Sequence, residues 1–477
     1  MAARNMEHIS RIPASSDGLR ARASSDVRHL PGPRGHWFWG NSRDFLPNPG
    51  LYIRDLRERY GDCFTVGVLR NRRQVILVGP RANRLLLLDP DDNFSARWGW
   101  EVVHAYFPGM VLLRDFADHR HHRRIMTPLF KPAALRHYLD QMDPIVLESL
   151  KTWRDNVDIY QAQKQLTLDI ALCVFGEFKP GPPSAVLNRD LSTMLENVMA
   201  MPGPRRWRSL RARDRLRAIL RAELEVRRES DGVDLFSRLA NERDDSGRRL
   251  SDTDVVDHML GLLFAARDTT TSALTTICMQ LARYPGWQAR LREECREVRE
   301  DTGDESLAYA SLDRLPLTEA FFKETLRQFS PLQIIPRRSV REFVFGDRRI
   351  PANAPILVFP QATHFDPEFF PEPERFDPMR FVDSGSQDPF AYIPFGRGSH
   401  MCLGMHFASM EVKAVLYRLL LSGEVRFADG NDHALNYVTI VRPLKPVRLR
   451  LKPLRRQGSQ EVPRATTPEG TSAKPVS

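Results

Sequence analysis

The residues best suited to chemistry are gathered around one cysteine, in the run Pro394-Phe395-Gly396-Arg397-Gly398-Ser399-His400-Met401-Cys402-Leu403-Gly404. Gly398 and Gly404 permit backbone bends and a close approach that a side chain would block. Apolar periodicity predicts a helix from about Gly404 to Leu421, so Cys402 stands just before a helix N-terminus. Free N–H groups and the dipole there favour a thiolate, which can act as a nucleophile or a metal ligand. A lone cysteine beside glycines is more often a buried core thiol.

Three more groups stand out. Glu324 and Arg327 fall three apart in a helical run beginning near Leu317, so they share a face and can pair, as many surface residues do. Ala265-Ala266-Arg267-Asp268-Thr269-Thr270 lies inside a long apolar helix expected from about Asp252 to Leu281. A polar cluster there is costly unless it is hydrated or useful, or unless the hydroxyls bond back to their own helix. His119 and Arg123, in the basic run from His119 to Arg124, point the same way at four-residue spacing. A metal site built on these histidines would want Cys or carboxylate partners beside them.

The elements that must position these groups are mostly helices. From about residue 120 to 340 charged and apolar residues alternate at helical spacing, broken at Pro202, Gly203 and Pro204. Short strand-like runs, Cys63–Val66 and Val75–Val78, follow a rigid Leu30–Gly35 segment, and residues 346–400 read as strands and meandering loop. The chain of 477 residues is long enough for a large core, and no composition break divides 29–453. Residues 1–28 and 454–477 are polar and are expected to be flexible or disordered tails. No run of about 18 apolar residues suggests a membrane span. The five cysteines are scattered and odd in number, which speaks against a disulfide framework or a structural zinc site and for a reducing compartment. The net charge of +10 comes mostly from Arg; no nucleic-acid module accompanies it, and a solvated basic surface explains it as well as an acidic or lipid partner does.

The pattern Phe395-x-x-Gly398-x-His400-x-Cys402-x-Gly404 resembles the haem-binding signature of the cytochrome P-450 superfamily. The other three groups occur in that family's order, and the resemblance spans about residues 29 to 453. It implies the P-450 fold, mainly α with a small β-rich lobe, and haem b between two helices. Cys402 would be the axial ligand of the haem iron, with Phe395, Gly398 and Gly404 shaping its loop. His119, Arg123, Arg337 and His400 would bind haem propionates, with Arg338 the neighbouring alternative to Arg337. Glu324 and Arg327 would join a later Pro-x-Arg-Phe arginine; spacing to the cysteine favours Arg380, with Arg375 as the fallback. Asp268 and Thr269 would be the catalytic acid and alcohol that manage protons for dioxygen, although Ala266 stands where the family usually has Gly.

The implied activity is a monooxygenase that consumes dioxygen and two electrons and inserts one oxygen atom into a lipophilic substrate, such as a fatty acid, sterol, terpenoid or polyketide. A peroxide-driven peroxygenase or a non-hydroxylating haem-thiolate protein is the alternative, and both Asp268 and Thr269 argue against it. Apolar residues expected to wall the pocket are Trp98, Trp100, Phe107, Met110 through Leu112, Phe264, Ala265, Ile334, Ile335 and Val438. About 75 residues follow Cys402, too few for a flavin or iron–sulfur domain, so electrons are expected from a separate ferredoxin or flavodoxin with its reductase. The expected setting is a monomer in a bacterial cytoplasm. Trp207, among Arg205, Arg206, Arg208, Arg211, Arg213, Arg215, Arg217 and Arg221, could give the entrance rim a peripheral membrane contact or simply a solvated face.

Overall fold

The computed structural model describes residues 26–68, 72–153, 155–178, 182–197, 203–303, 305–382, 388–428, 430 and 433–454. Most of the two expected tails, and Pro202, lie outside the described residues. The N-terminal boundary moves, however, because Val27 is only 3% exposed and packs into the core of the β lobe.

That lobe is built on one five-stranded sheet. Its strands are β1 (Cys63–Val68), β2 (Arg72–Leu77), β3 (Phe94–Ser95), β4 (Ile335–Ser339) and β5 (Pro355–Val358), in the spatial order β1-β2-β5-β4-β3. Val75 and Leu77 face one apolar cluster while Ile76 faces the other, the two-residue alternation of a strand buried on both sides. The register places Ile335 opposite Val358 and Arg337 opposite Ile356. Helix α1 (Pro80–Leu88) packs beside this sheet, its Leu86 and Leu87 buried in the same cluster as Val75.

The helical body holds the larger core. It includes α2 (Phe116–Met126), α3 (Ile159–Gly176), α4 (Pro182–Glu196), α5 (Pro204–Arg228), α6 (Asp252–Arg283), α7 (Pro316–Gln328) and α8 (Met405–Ser422). Helix α6 spans 32 residues, about 48 Å, and is buried along most of its length. Ser251 caps it by accepting from the Asp254 N–H, and Asp252 and Asp254 complement the dipole in its first turn. Thr271 of α6 and Thr167 of α3 share a hydroxyl hydrogen bond of 2.8 Å, which satisfies both polar groups inside the helix–helix contact. Helix α7 begins at Pro316, and Glu294, from the helix Pro285–Thr302, accepts from Leu317 and Thr318 N–H groups, supplying the cap the local sequence lacks. Among the described residues no helix is long and apolar enough to cross a membrane.

Candidate active site

The cysteine loop is fixed by backbone geometry. Gly398 has φ +68°, and a Cβ there would meet the Leu87 carbonyl oxygen at 1.8 Å, so the loop presses against the end of α1 where no side chain fits. The Cys402 N–H donates to the Phe395 carbonyl at 2.9 Å, closing the turn that precedes α8. Cys402 lines a largely apolar cavity of about 290 Å³. Gly404 also lines it, and a Cβ there would touch nothing within 4 Å, so its missing side chain leaves room on the cavity side. Burial pushes the Cys402 thiol up, while a hydrogen bond from the Gly404 backbone and the charge of Arg123 pull it back toward the thiolate.

Cationic and imidazole groups converge on the same cavity. His119 and Arg123 come from α2, Arg337 from β4 and His400 from the cysteine loop. The rings of His119 and His400 stack with centroids 3.7 Å apart. Burial, then the charges of Arg123 and Arg337, push His119 down to about 4, so it is neutral at pH 7; His400 is lowered by burial and the same neighbours. Arg337 falls to about 10 through burial and stays charged. Its guanidinium donates to the Pro336 carbonyl, and no described carboxylate bonds to it or to Arg123. The Nδ1 of His400 is buried without a partner. Arg338 lies outside the cavity wall and faces Glu101 at 3.9 Å, so the register selects Arg337.

Across the cavity stands α6. Ala265 is exposed although it sits in mid-helix, because it opens onto the cavity beside Ala266 and Thr269. The Thr269 hydroxyl donates to the Ala265 carbonyl at 2.6 Å, the back-bond that a helical threonine makes by default. Asp268 lies off the wall, and burial raises its pKa against the opposing pull of Arg267, Lys164 and Arg442. On the other side of the cysteine loop, Glu324 and Arg327 are fully buried and meet through two bonds of 2.7 and 2.8 Å. Arg380 reaches Glu324 at 3.3 Å, whereas Arg375 is 62% exposed and pairs with Glu372; only its carbonyl joins the network.

Of the expected pocket residues, Trp100, Met110, Val111, Leu112, Ala265 and Ile335 line the cavity. Phe264, Ile334 and Val438 do not, nor do Trp98 and Phe107. Phe264 is one step, about 100°, around α6 from Ala265 and stacks on Phe107 at 4.7 Å. Ile334 precedes a strand whose next residue faces the cavity, and it packs with the other apolar cluster of the lobe. Val438 lies in a turn and is 41% exposed. The basic rim is thinner than the sequence suggests: Arg213 bonds to the Ala105 carbonyl and Asp214, Arg215 to Asp190, and Arg217 to buried Asp257. Trp207 is 67% exposed. Two residues near the site escaped the sequence reading. Glu411 of α8, nine positions after Cys402, is fully buried beside Thr270, and burial raises it to about 8. His258 lies on the cavity wall, on the same face of α6 as Leu262, Ala265 and Thr269. The spacing of His258 to these residues was available as a signal.

A model of the Cytochrome P-450 family matches residues 30–179 and 186–451. Cytochrome P-450 136 of Mycobacterium tuberculosis is 35% identical over 370 residues, covering 72% of this chain and 73% of that protein. Abscisic acid 8'-hydroxylase 2 of Arabidopsis thaliana is 28% identical over 441 residues, 90% of each chain. The solved structure described as retinoic acid bound cyanobacterial CYP120A1 superposes with a TM-score of 0.79 at 28% identity, covering 89% of this chain and all of that one (100%). The chain belongs to the cytochrome P-450 family. It is a haem-dependent monooxygenase that uses dioxygen, a redox partner and a small-molecule substrate.

The side chains present fit a haem. A cysteine sulfur, two arginines bonded to no carboxylate among the described residues and a buried imidazole nitrogen with no described partner belong to the wall of one apolar space, matching an iron and two propionates on an otherwise apolar disc.

Proposed function

We propose that Cys402 is the axial ligand of haem b, and that His119, Arg123, Arg337 and His400 hold its propionates. When bound, thiolate-ligated haem supplies the oxygen activation and electron storage that side chains lack. The chain's own groups do the rest. Arg123 and Arg337 neutralise anionic oxygens and orient the disc. Phe395, Gly398 and Gly404 shape the loop that keeps the sulfur dry and close. Thr269 presents its hydroxyl oxygen at the cavity wall, and Asp268, raised by burial against the pull of Arg267 and Lys164, is the acid behind it. Apolar Trp100, Met110, Leu112 and Ile335 exclude water and favour a lipophilic substrate. A terpenoid is the class we favour, because one named relative is an abscisic acid hydroxylase and one similar structure holds retinoic acid. We place the enzyme in a bacterial cytoplasm with an acidic ferredoxin or flavodoxin as donor.

The observation that carries this reading is the convergence of Cys402, Arg123, Arg337 and His400 on the cavity that Thr269 faces. The test is the ferrous–CO spectrum. The unmodified protein shows the red-shifted Soret band of a thiolate-ligated haem, and Cys402→Ala loses it. An imidazole-type spectrum in the unmodified protein removes Cys402 from this role.

A further inference from the structure

Below the haem-binding groups, a second set of imidazoles connects the surface to the cavity. His122 of α2 and His258 of α6 are both buried, and His122 Nδ1 lies 2.9 Å from His258 Nε2. His122 Nε2 faces the carboxylate of Asp118 at 3.4 Å, one helical turn back. Asp118 is 57% exposed and also accepts from Arg114, whose other nitrogen pairs with Asp254 of α6. At the far end, His258 forms part of the cavity wall, and its Nδ1 is buried with no hydrogen-bond partner. Few polar atoms line this cavity, and His119, Arg123, Arg337 and His400 are committed elsewhere in the reading above.

The chain of contacts fixes which nitrogen carries each proton. A carboxylate only accepts, so the side of His122 facing Asp118 carries N–H. With one proton on each ring, the opposite nitrogen, Nδ1, then has only a lone pair, and it accepts from His258 Nε2–H. That leaves His258 Nδ1 as a buried lone pair in a ring that lines the cavity. Burial holds His258 well below its ordinary pKa, consistent with a neutral ring. A buried acceptor without a donor is costly, and a ligand that supplies the donor relieves that cost.

We infer that His258, oriented by His122 and Asp118, is the polar anchor of the substrate pocket, and that it selects lipophilic substrates carrying a hydroxyl group positioned to donate to Nδ1. His258 touches substrate and determines specificity; His122 is a positioning residue that acts through it. The inference rests on the cavity being the substrate pocket of the monooxygenase. It adds a demand on substrate chemistry that an apolar wall does not make.

Matched probes test it: menthol, menthone and p-menthane on one skeleton, and dodecan-2-ol, dodecan-2-one and dodecane on another. Binding to the haem-loaded protein is measured by titration calorimetry. In at least one series the alcohol binds roughly tenfold tighter than the ketone, as expected for one buried hydrogen bond gained and one acceptor no longer facing another acceptor. His258→Phe keeps a ring of similar size and brings alcohol and ketone to within about twofold of each other. His122→Phe leaves His258 free to choose its tautomer, so the ketone gains affinity while the alcohol keeps most of its own. That split separates an oriented acceptor from a merely structural pair, which would lose both ligands together. Alcohols that bind no better than their ketones in both series, absence of binding included, overturn the inference, as does a preference that survives in His258→Phe. The ferrous–CO spectrum of the same samples reports separately on the haem assignment.

Discussion

Thr269 is held by its own helix through the bond to the Ala265 carbonyl, yet it also lines the cavity. Its hydroxyl hydrogen is therefore occupied, and we propose that its oxygen serves the dioxygen bound in that cavity. Thr269→Ala removes that oxygen without opening a large void. We expect the variant to keep haem and substrate binding but to divert reducing equivalents from product to hydrogen peroxide; unchanged coupling of NADPH to product would remove Thr269 from the mechanism. Glu411 gives a second prediction at this scale. Its pKa in the folded chain, about 8, lies above the ordinary carboxylate value of about 4.3. Between those values the folded state holds a proton that the unfolded state has released, so this group's contribution to stability is full at low pH and is lost as pH rises through about 8. Urea midpoints should therefore fall between pH 5 and 8.5 (experimental settings chosen to bracket roughly that interval) more steeply in the native chain than in Glu411→Gln. Parallel profiles would mean that Glu411 is charged in the fold.

At the scale of elements, the buried Glu324–Arg327 pair decides whether the loop after α7 can form. Both side chains are fully buried, so removing one partner strands the other, a loss of about 3–5 kcal/mol. Arg380 and Arg375 offer a sharper contrast because the sequence places both in Pro-x-Arg-Phe segments. Arg380→Ala removes a contact to buried Glu324 and should lower stability by roughly 1–3 kcal/mol in urea denaturation. Arg375→Ala, whose side chain is 62% exposed, should change it by no more than about 0.5 kcal/mol. Equal effects would show that the backbone of this segment, rather than Arg380, completes the network. The comparison also marks how far the sequence could be read. The cysteine loop, α6, α7 and α8 were legible because their signals are local: glycines at a turn, and three- and four-residue spacing. Phe264 and Ile334 were misplaced by a single position, which on a helix or strand is enough to turn a side chain from the cavity to the core. The His122–His258 contact joins residues 136 apart and carries no local signal at all. Val438 failed for the opposite reason, since an apolar residue in a turn after a two-residue strand has no face to bury.

At the scale of the whole molecule, the surplus of positive charge bears on the supply of electrons. The net charge is +10, but much of the arginine is internally committed: Arg120 pairs with Asp92 at 2.8 Å, Arg124 with Asp245, and Arg397 opens onto the cavity. The docking face we propose for an acidic donor therefore rests on paired arginines, Arg120 and Arg124, 52% and 65% exposed, that a partner's carboxylates can share. Reduction by an acidic ferredoxin should slow steeply as salt rises, because exposed charges are screened within about 10 Å at ~0.1 M. Arg124→Glu should slow it further at low salt, read by stopped-flow reduction under CO. A rate indifferent to both changes would dismiss this face as the docking site and leave the need for a donor intact.

One guanidinium has a reach out of proportion to its size. Arg327 donates to the carbonyls of His364, Pro373 and Arg375 while it pairs with Glu324, and Glu324 in turn accepts from the Asp377 N–H. His364 then accepts from the Ile393 N–H, nine residues before Cys402. The described residues between His364 and Ile393 have little regular structure of their own, so their amides cannot be protected strand by strand. They share one fastener. In hydrogen exchange the amides of Asp377 and Ile393 should open together with α7, at one common free energy, and the cysteine loop becomes only as durable as that single opening event.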